Sequence, residues 1–346
     1  MKKVAAETAA ARVIAGSTAA RIAAGAAAVA VALALPLVLD DSALAVYVLL
    51  GLAAIVTVGV SLLMGFAGQV SLGQGAFYGV GAYTAALLTL NGFPPLLGLV
   101  AAPLVAALFA AVIGMPLLRL RGHHLAFATL AVQLILLSLA GQLEFTGGDI
   151  GLQAIPQFGV GSWEMDGAAA YAWLTWGALA LVMLVTHHVI TSRPGRALRA
   201  LATSETAAAS SGIPVGRYKL VVFALSAAFA GLAGGIYCFY TGYVAPGSFP
   251  VLISIQYIVM AVVGGLGTVW GAVAGAGAIT LLVQGLDRLA ALPGMPSYAP
   301  SVLSYAVYAL VLIVVVLFLP QGLVPALTRR DRPPKTSRAS RGVPGD

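Results

Sequence analysis

The chain has 346 residues, 60% of them hydrophobic and 8% charged, with a net charge of +7 and a mean hydropathy of +1.00. Soluble domains carry roughly 25% charged residues, so this composition excludes an ordinary soluble domain. The apolar runs are continuous and about 20 residues long, which indicates membrane-crossing helices and not the alternating strands of a β-barrel.

The expected fold is an all-α polytopic membrane protein with about ten transmembrane helices, within a range of 8–11. Candidate spans are 22–39, 43–64, 72–90, 96–118, 124–143, 170–191, 220–241, 251–265, 268–286 and 301–319. Residues 1–21 form a basic leading segment. The leading segment is long for a signal peptide and the first apolar run is long enough to span, so an uncleaved helix is expected. Residues 22–327 form the membrane domain. Residues 328–346 are charged and Pro-rich and read as a disordered tail.

Charge tests this count. Lys2, Lys3, Arg12 and Arg21 precede the first span, and Asp40 and Asp41 follow it. Arg119 and Arg121 come after three more spans. Glu144, Asp149, Glu164 and Asp166 come after the next, with no basic residue among them. Residues 193–219 and the tail carry the remaining basic clusters, apart from Arg288 beside Asp287. Cytoplasmic loops collect Lys and Arg, so both termini are expected in the cytoplasm. The positive charge therefore reports topology and gives no reason to expect nucleic acid.

Residues 65–83 read GFAGQVSLGQGAFYGVGAY. Glycines let helices pack closely in lipid, and the Gly-rich entry 65–73 suggests a broken helix that exposes backbone groups. Gln69, Ser71, Gln74 and Tyr78 are candidate pathway residues, the last three spaced i, i+3, i+7 on one expected face. The alternative use for them is tight packing across an interface. Part of the stretch recurs at an offset of 196: GAFYGVGA (75–82) matches GAVAGAGA (271–278) at five positions, and Met64 and Gly68 match Met260 and Gly264. The GxxxG pairs Gly75/Gly79 and Gly271/Gly275 are candidate helix-packing positions. Repeated halves are a common transporter plan. The sequence is compatible with a parallel or an inverted repeat, and with 251–286 as spanning or re-entrant.

Some chemistry has no residues to carry it. The span interiors contain no Asp, Glu, Lys or Arg, the groups that charge-coupled carriers keep there despite a cost of about 2.5–3.5 kcal/mol each. No Walker A sequence and no catalytic triad pattern is present. His123-His124 and His187-His188 are adjacent pairs rather than the i, i+4 pairs of a zinc helix, so no metal site is expected. Cys238 stands alone in an apolar run.

Residues 193–219 break the apolar pattern. Arg193, Arg196, Arg199, Arg217 and Lys219 stand with a single acid, Glu205, in an Ala- and Leu-rich stretch that Gly212 and Pro214 end. Such a helix on the cytoplasmic face suits docking to a protein or to anionic head groups.

The stretches GFAGQVSLGQGAFYGVGAYTAALL, LRLRGHHLAFATLA, FTGGDIGLQAIP, GRALRALATSETAAASSGIPVGRYKLVVFALSAAFAGLAGGIY and VVGGLGTVWGAVAGA resemble the LivM-type permease subunit of bacterial branched-chain amino acid ABC importers. The match covers most of residues 46–322. The resemblance implies a LivH-like second permease, two cytoplasmic ATPase subunits carrying ATP and Mg, and an extracytoplasmic solute-binding protein. It implies no cofactor on this chain itself. It makes 196–212 the ATPase-coupling segment, in which Glu205, Ala207, Ala208 and Gly212 loosely resemble the EAA loop, beside Arg196 and Arg199.

The chain also departs from that pattern. Gln74 stands where the family often has His, and Gln133 and Gln256 where it often has Glu. His123 and His124 replace an acid and an aromatic. Ala202, Thr203 and Ser204 replace charged residues, and TGGDIG replaces TGGPNG. Relatives of the family import urea, amides and other amino acids, so the resemblance leaves the solute open. The leading expectation is a permease subunit for a small polar solute, most readily a branched-chain or related amino acid. The alternatives are a passive channel for a solute such as urea or an amide, lined by Gln69, Ser71, Gln74 and Gln256, and a scaffold without transport.

Overall fold

The computed structural model describes residues 34–290 except 121 and 161–162, together with Ala32 and Leu310. The leading segment, most of span 22–39, span 301–319 and the tail lie outside the described residues. The helices are α1 (Asp41–Ser61), α2 (Gln74–Leu90), α3 (Pro95–Leu117), α4 (His123–Gln142), α5 (Ala168–Thr191), α6 (Arg193–Thr203), α7 (Glu205–Ser210), α8 (Val215–Thr241), α9 (Val251–Gly264) and α10 (Val269–Ala290). A two-residue hairpin, β1 (Gly159–Val160) with β2 (Trp163–Glu164), decorates the α4–α5 loop.

Proline and glycine set most of the boundaries. Pro95 opens α3, and Pro214 and Pro250 sit just before α8 and α9, where a missing N–H costs nothing. Gly242, at φ +63°, closes α8 in the left-handed conformation that a side chain resists. Between these punctuation marks the long helices are apolar on every side, as helices in lipid must be.

All eight expected spans that fall among the described residues are helices. Among the described residues, seven helical segments are long and apolar enough to cross a membrane. The eighth, α2, has 17 residues. It is short because the chain reaches it through a break: α1 runs into a π turn at Leu62–Phe66, and residues 68–73 are not helical. The chain is a multi-pass membrane protein.

α8 is the packing centre. A Cβ on Gly81 would lie 2.2 Å from the Gly231 carbonyl oxygen, and one on Gly234 would lie 1.9 Å from that of Tyr78. Backbones this close leave no room for even a methyl group, which is how small residues hold membrane helices together. On the other side of α8, a Cβ on Gly231 would meet the Ala106 Cβ of α3 at 2.4 Å.

The repeat runs parallel. Thr57 of α1 meets Met260 of α9 at 3.6 Å, and Gly65 abuts Gly267. Contacts that advance together along both helices mean the helices point the same way. The two breaks therefore sit side by side. In the second copy Gly264 packs against Gly271 and Gly275, joining α9 to α10. In the first copy Gly75 and Gly79 face α4 and Phe249 instead.

Charge divides between the ends of the bundle. Exposed Asp40, Asp41, Glu144, Asp149 and Asp166 lie at one end, with Arg288 near Asp40. The loop that carries Glu144, Asp149 and Asp166 is pinned to the end of α8 by the Leu152–Val244 bridge and by Tyr243, which donates to Ile150 O at 3.0 Å. Exposed Arg119, Arg193, Arg196, Arg199 and Arg217 lie at the other end.

Candidate functional site: an uncharged cavity and a cationic end

The α2 break is held by side chains of other helices. A helix start leaves its first N–H groups without partners, and lipid supplies none. Here Leu72 N–H donates to Thr129 Oγ1 of α4 at 2.9 Å, and Gly75 N–H donates to Ser254 Oγ of α9 at 2.8 Å. Ser254 in turn donates to Gln133 Oε1 at 2.7 Å, and Gln133 Nε2 donates to Phe249 O at 3.3 Å. Both side chains are fully buried. A Cβ on Gly75 would lie 2.5 Å from Gln133 Nε2, so a side chain there would push the Gln133 amide out of this network.

Above the network lies a cavity of about 250 Å³ between α1, α2, α8, α9 and α10. Its polar lining is Tyr78, Tyr237, Ser248, Gln256, Tyr257, Thr280 and Gln284, and no charged side chain is among its described lining residues. Tyr78 anchors an aromatic cluster, with ring centroids 5.6 Å from Tyr237, 5.5 Å from Phe249 and 6.4 Å from Tyr257. Phe249 is fully buried, seats on Gly79, and lines a second, more apolar cavity of about 240 Å³ between α2, α4 and the turn at Phe145 and Thr146. Its ring packs on Tyr78, which lines the polar cavity, so Tyr78 and Phe249 stand between the two spaces.

The five pathway candidates separate. Tyr78 and Gln256 line the polar cavity. Gln74 is buried and donates to Ser226 Oγ of α8 at 3.1 Å. Ser71 precedes the helix, so helical spacing does not align it with Gln74 and Tyr78; it caps Gly73 N–H instead. Gln69 is 2% exposed, and neither of its amide atoms is paired among the described residues. Of the packing glycines, Gly75 and Gly79 lie against Gln133 and Phe249, and Gly271 and Gly275 against the α9 backbone.

The cationic end is built by α6 and α7. α6 is strongly amphipathic, burying Leu198 and Leu201 while Arg196 and Arg199 stay exposed. Gly195 packs against Ile190 O, and Arg199 Nη1 donates to the same oxygen at 3.1 Å, which ties α6 to the end of α5. Ser204 breaks the helix in extended conformation and caps α7 by accepting from Ala207 N–H. Ala207 and Gly212 are exposed, and Ala208 is buried. Glu205 is ion-paired to Lys219 of α8. Ala202 lies beside Gly68, so α6 also touches the α1–α2 break.

The network through Gln133 and Ser254 is not visible as a site in the sequence. A lone glutamine inside an apolar span was the available signal, since such groups need a partner in lipid. Its partner is 121 residues away in the chain. Among the described residues no three His, Cys, Asp or Glu gather, and His123, His124, His187 and His188 are all exposed.

A helical bundle with a broken-helix repeat, an uncharged cavity and an amphipathic segment at its cationic end shares the plan of polytopic transporters. Residues 42–316 match the family described as branched-chain amino acid transport system / permease component, and the chain belongs to that family. It is 36% identical over 250 residues to the high-affinity branched-chain amino acid transport system permease protein LivM of Salmonella typhimurium, and 35% identical over 250 residues to that of Escherichia coli. These matches cover 64% of this chain and 57% of each relative, so the chain spans little over half the length of those relatives. It is 25% identical over 255 residues to the probable LivM permease of Methanocaldococcus jannaschii, covering 70% of this chain and 73% of that one. No solved structure matches.

Proposed function

We propose that this chain is the membrane-spanning subunit of an ATP-driven importer for a small polar solute, most readily a branched-chain or related amino acid. A second LivH-like permease, two ATPase subunits that bind ATP and Mg, and an extracytoplasmic solute-binding protein complete the assembly. The acidic end faces outward, and the cationic end and both termini face the cytoplasm, following the distribution of Lys and Arg. The observation that carries this reading is the pairing of an uncharged cavity with an exposed amphipathic segment. The cavity lacks the ionisable groups that ion-coupled carriers use, and α6 with α7 gives an external motor a surface to push.

The cavity chemistry supports the cargo. Tyrosine, threonine and glutamine offer donors to a carboxylate and acceptors to an ammonium, and aromatic faces attract a cation. Leu49, Leu52, Ile253, Met260 and Val283 complete the lining with apolar surface suited to an aliphatic side chain. The test is reconstitution of the assembled complex in liposomes with radiolabelled leucine. Accumulation against a gradient that requires ATP and the binding protein is expected. Equal flux with and without ATP would replace this reading with a passive channel.

A further inference from the structure

Lys219 is anomalous in position. It sits in the first turns of α8 with a side chain 8% exposed, at the one end of the bundle where other cations reach solvent. A buried ammonium is costly unless it is paired, and its partner is Glu205 at the start of α7. Glu205 is the one acid of residues 193–219. Its carboxylate is engaged by Lys219, so the unpaired charges of the segment are the exposed Arg193, Arg196, Arg199 and Arg217.

The two halves of the segment differ in their ties: α6 packs mainly on α5 and also touches α8, whereas among the long helices α7 packs on α8. α6 is fixed to α5 through Gly195 and Arg199, and it buries Leu198. α7 has six residues, one buried side chain, Ala208, and the Glu205–Lys219 pair. The extended residue Ser204 separates them and can act as a hinge. α8 then carries Ser226, which holds Gln74, and Tyr237, which lines the cavity.

We infer that the Glu205–Lys219 ion pair is the link through which motion of the docking segment is passed to α8 and so to the cavity wall. This rests on the importer reading above and deepens it. The glutamate that the EAA-like pattern would turn toward the ATPase acts here as a positioning residue, gripping the transport helix. A pair of this kind transmits a push in both directions, whereas the apolar contact of one alanine can slip.

The test uses the complex purified with its ATPase subunits and needs no knowledge of the solute. Ser248→Cys places a thiol in the cavity lining, and native Cys238 is fully buried and silent. Maleimide labelling of residue 248, read by mass spectrometry with and without ATP and vanadate, is expected to change about tenfold in the otherwise native chain. Lys219→Met leaves Glu205, 37% exposed, to be solvated by water. It is expected to reduce that change to less than about twofold while ATP hydrolysis stays within about twofold. The exchange Glu205→Lys with Lys219→Glu is expected to restore it, which a purely structural role does not require. Glu205→Gln serves if Lys219→Met fails to assemble. A full ATP-dependent change in either single variant would overturn the link alone. An unmutated chain that brings no ATPase with it would overturn the importer reading and the link together.

Discussion

Ser254 and Gln133, 121 residues apart in the chain, share a 2.7 Å hydrogen bond in which the Ser254 hydroxyl donates to Gln133 Oε1, while the same hydroxyl accepts the Gly75 N–H. One hydroxyl thereby closes the open start of α2 and joins it to α4 and α9. Ser254→Ala leaves a buried N–H and a buried amide oxygen without partners. The expected loss is about 1–3 kcal/mol of stability, seen as earlier thermal unfolding in detergent. Ser254→Thr, which keeps the hydroxyl, is expected to lose less. Equal unfolding temperatures for Ser254→Ala and the native chain would remove the network from this account.

The glycines of the bundle divide into those that hold helices together and those that are spare. Gly234→Ala drives a methyl into the Tyr78 carbonyl, where it would sit 1.9 Å away. Helices must separate to admit it, and we expect a loss of about 1–3 kcal/mol or failure to assemble, as for overpacked cores. Gly177→Ala on the exposed face of α5 meets no atom within 4 Å among the described residues and is expected to be neutral or to gain up to about 1 kcal/mol in helix propensity. Detergent unfolding of the two variants side by side checks the pair.

Phe249 lines the apolar cavity and packs its ring on Tyr78, which lines the polar one. Phe249→Ala is expected to join the two spaces and cost about 3–5 kcal/mol of stability. In liposomes it should raise the ATP-independent leak of a small neutral solute such as urea several-fold over the native complex. A variant that is destabilised without leaking would show that the ring packs but does not partition.

Gln256 offers the cavity an amide from α9. Gln256→Leu keeps the volume and removes the polar atoms, so leucine uptake is expected to fall about tenfold or more, as expected when a polar contact to the cargo is lost. Gln256→Glu introduces a charge into an otherwise uncharged lining and is expected to be at least as damaging. ATP hydrolysis measured in parallel separates a cavity defect from a docking defect.

The sequence made the apolar helices legible because their periods need no partner information: eight expected spans stand as helices. The break before Gln74 was legible for the same reason, since Gly65, Gly68 and Gly73 mark it locally. The i, i+3, i+7 face was not, because it assumed a helix already running at Ser71. The Gln133–Ser254–Gly75 network and the Glu205–Lys219 pair depend on tertiary contacts across 121, 179 and 14 residues. No local pattern announces which buried glutamine meets which serine. Glu205 read naturally as a docking residue because nothing local shows that Lys219 is buried.

The measurement that bears most directly on the central claim is gentle purification of the tagged chain from its native membrane, with mass spectrometry of what accompanies it and an ATP hydrolysis assay of the eluate. The account predicts a second permease, ATPase subunits and vanadate-sensitive hydrolysis. It also predicts that Arg196→Glu with Arg199→Glu, on the exposed face of α6, strips the ATPase away. A chain that purifies alone and conducts solute through liposomes without ATP would contradict it.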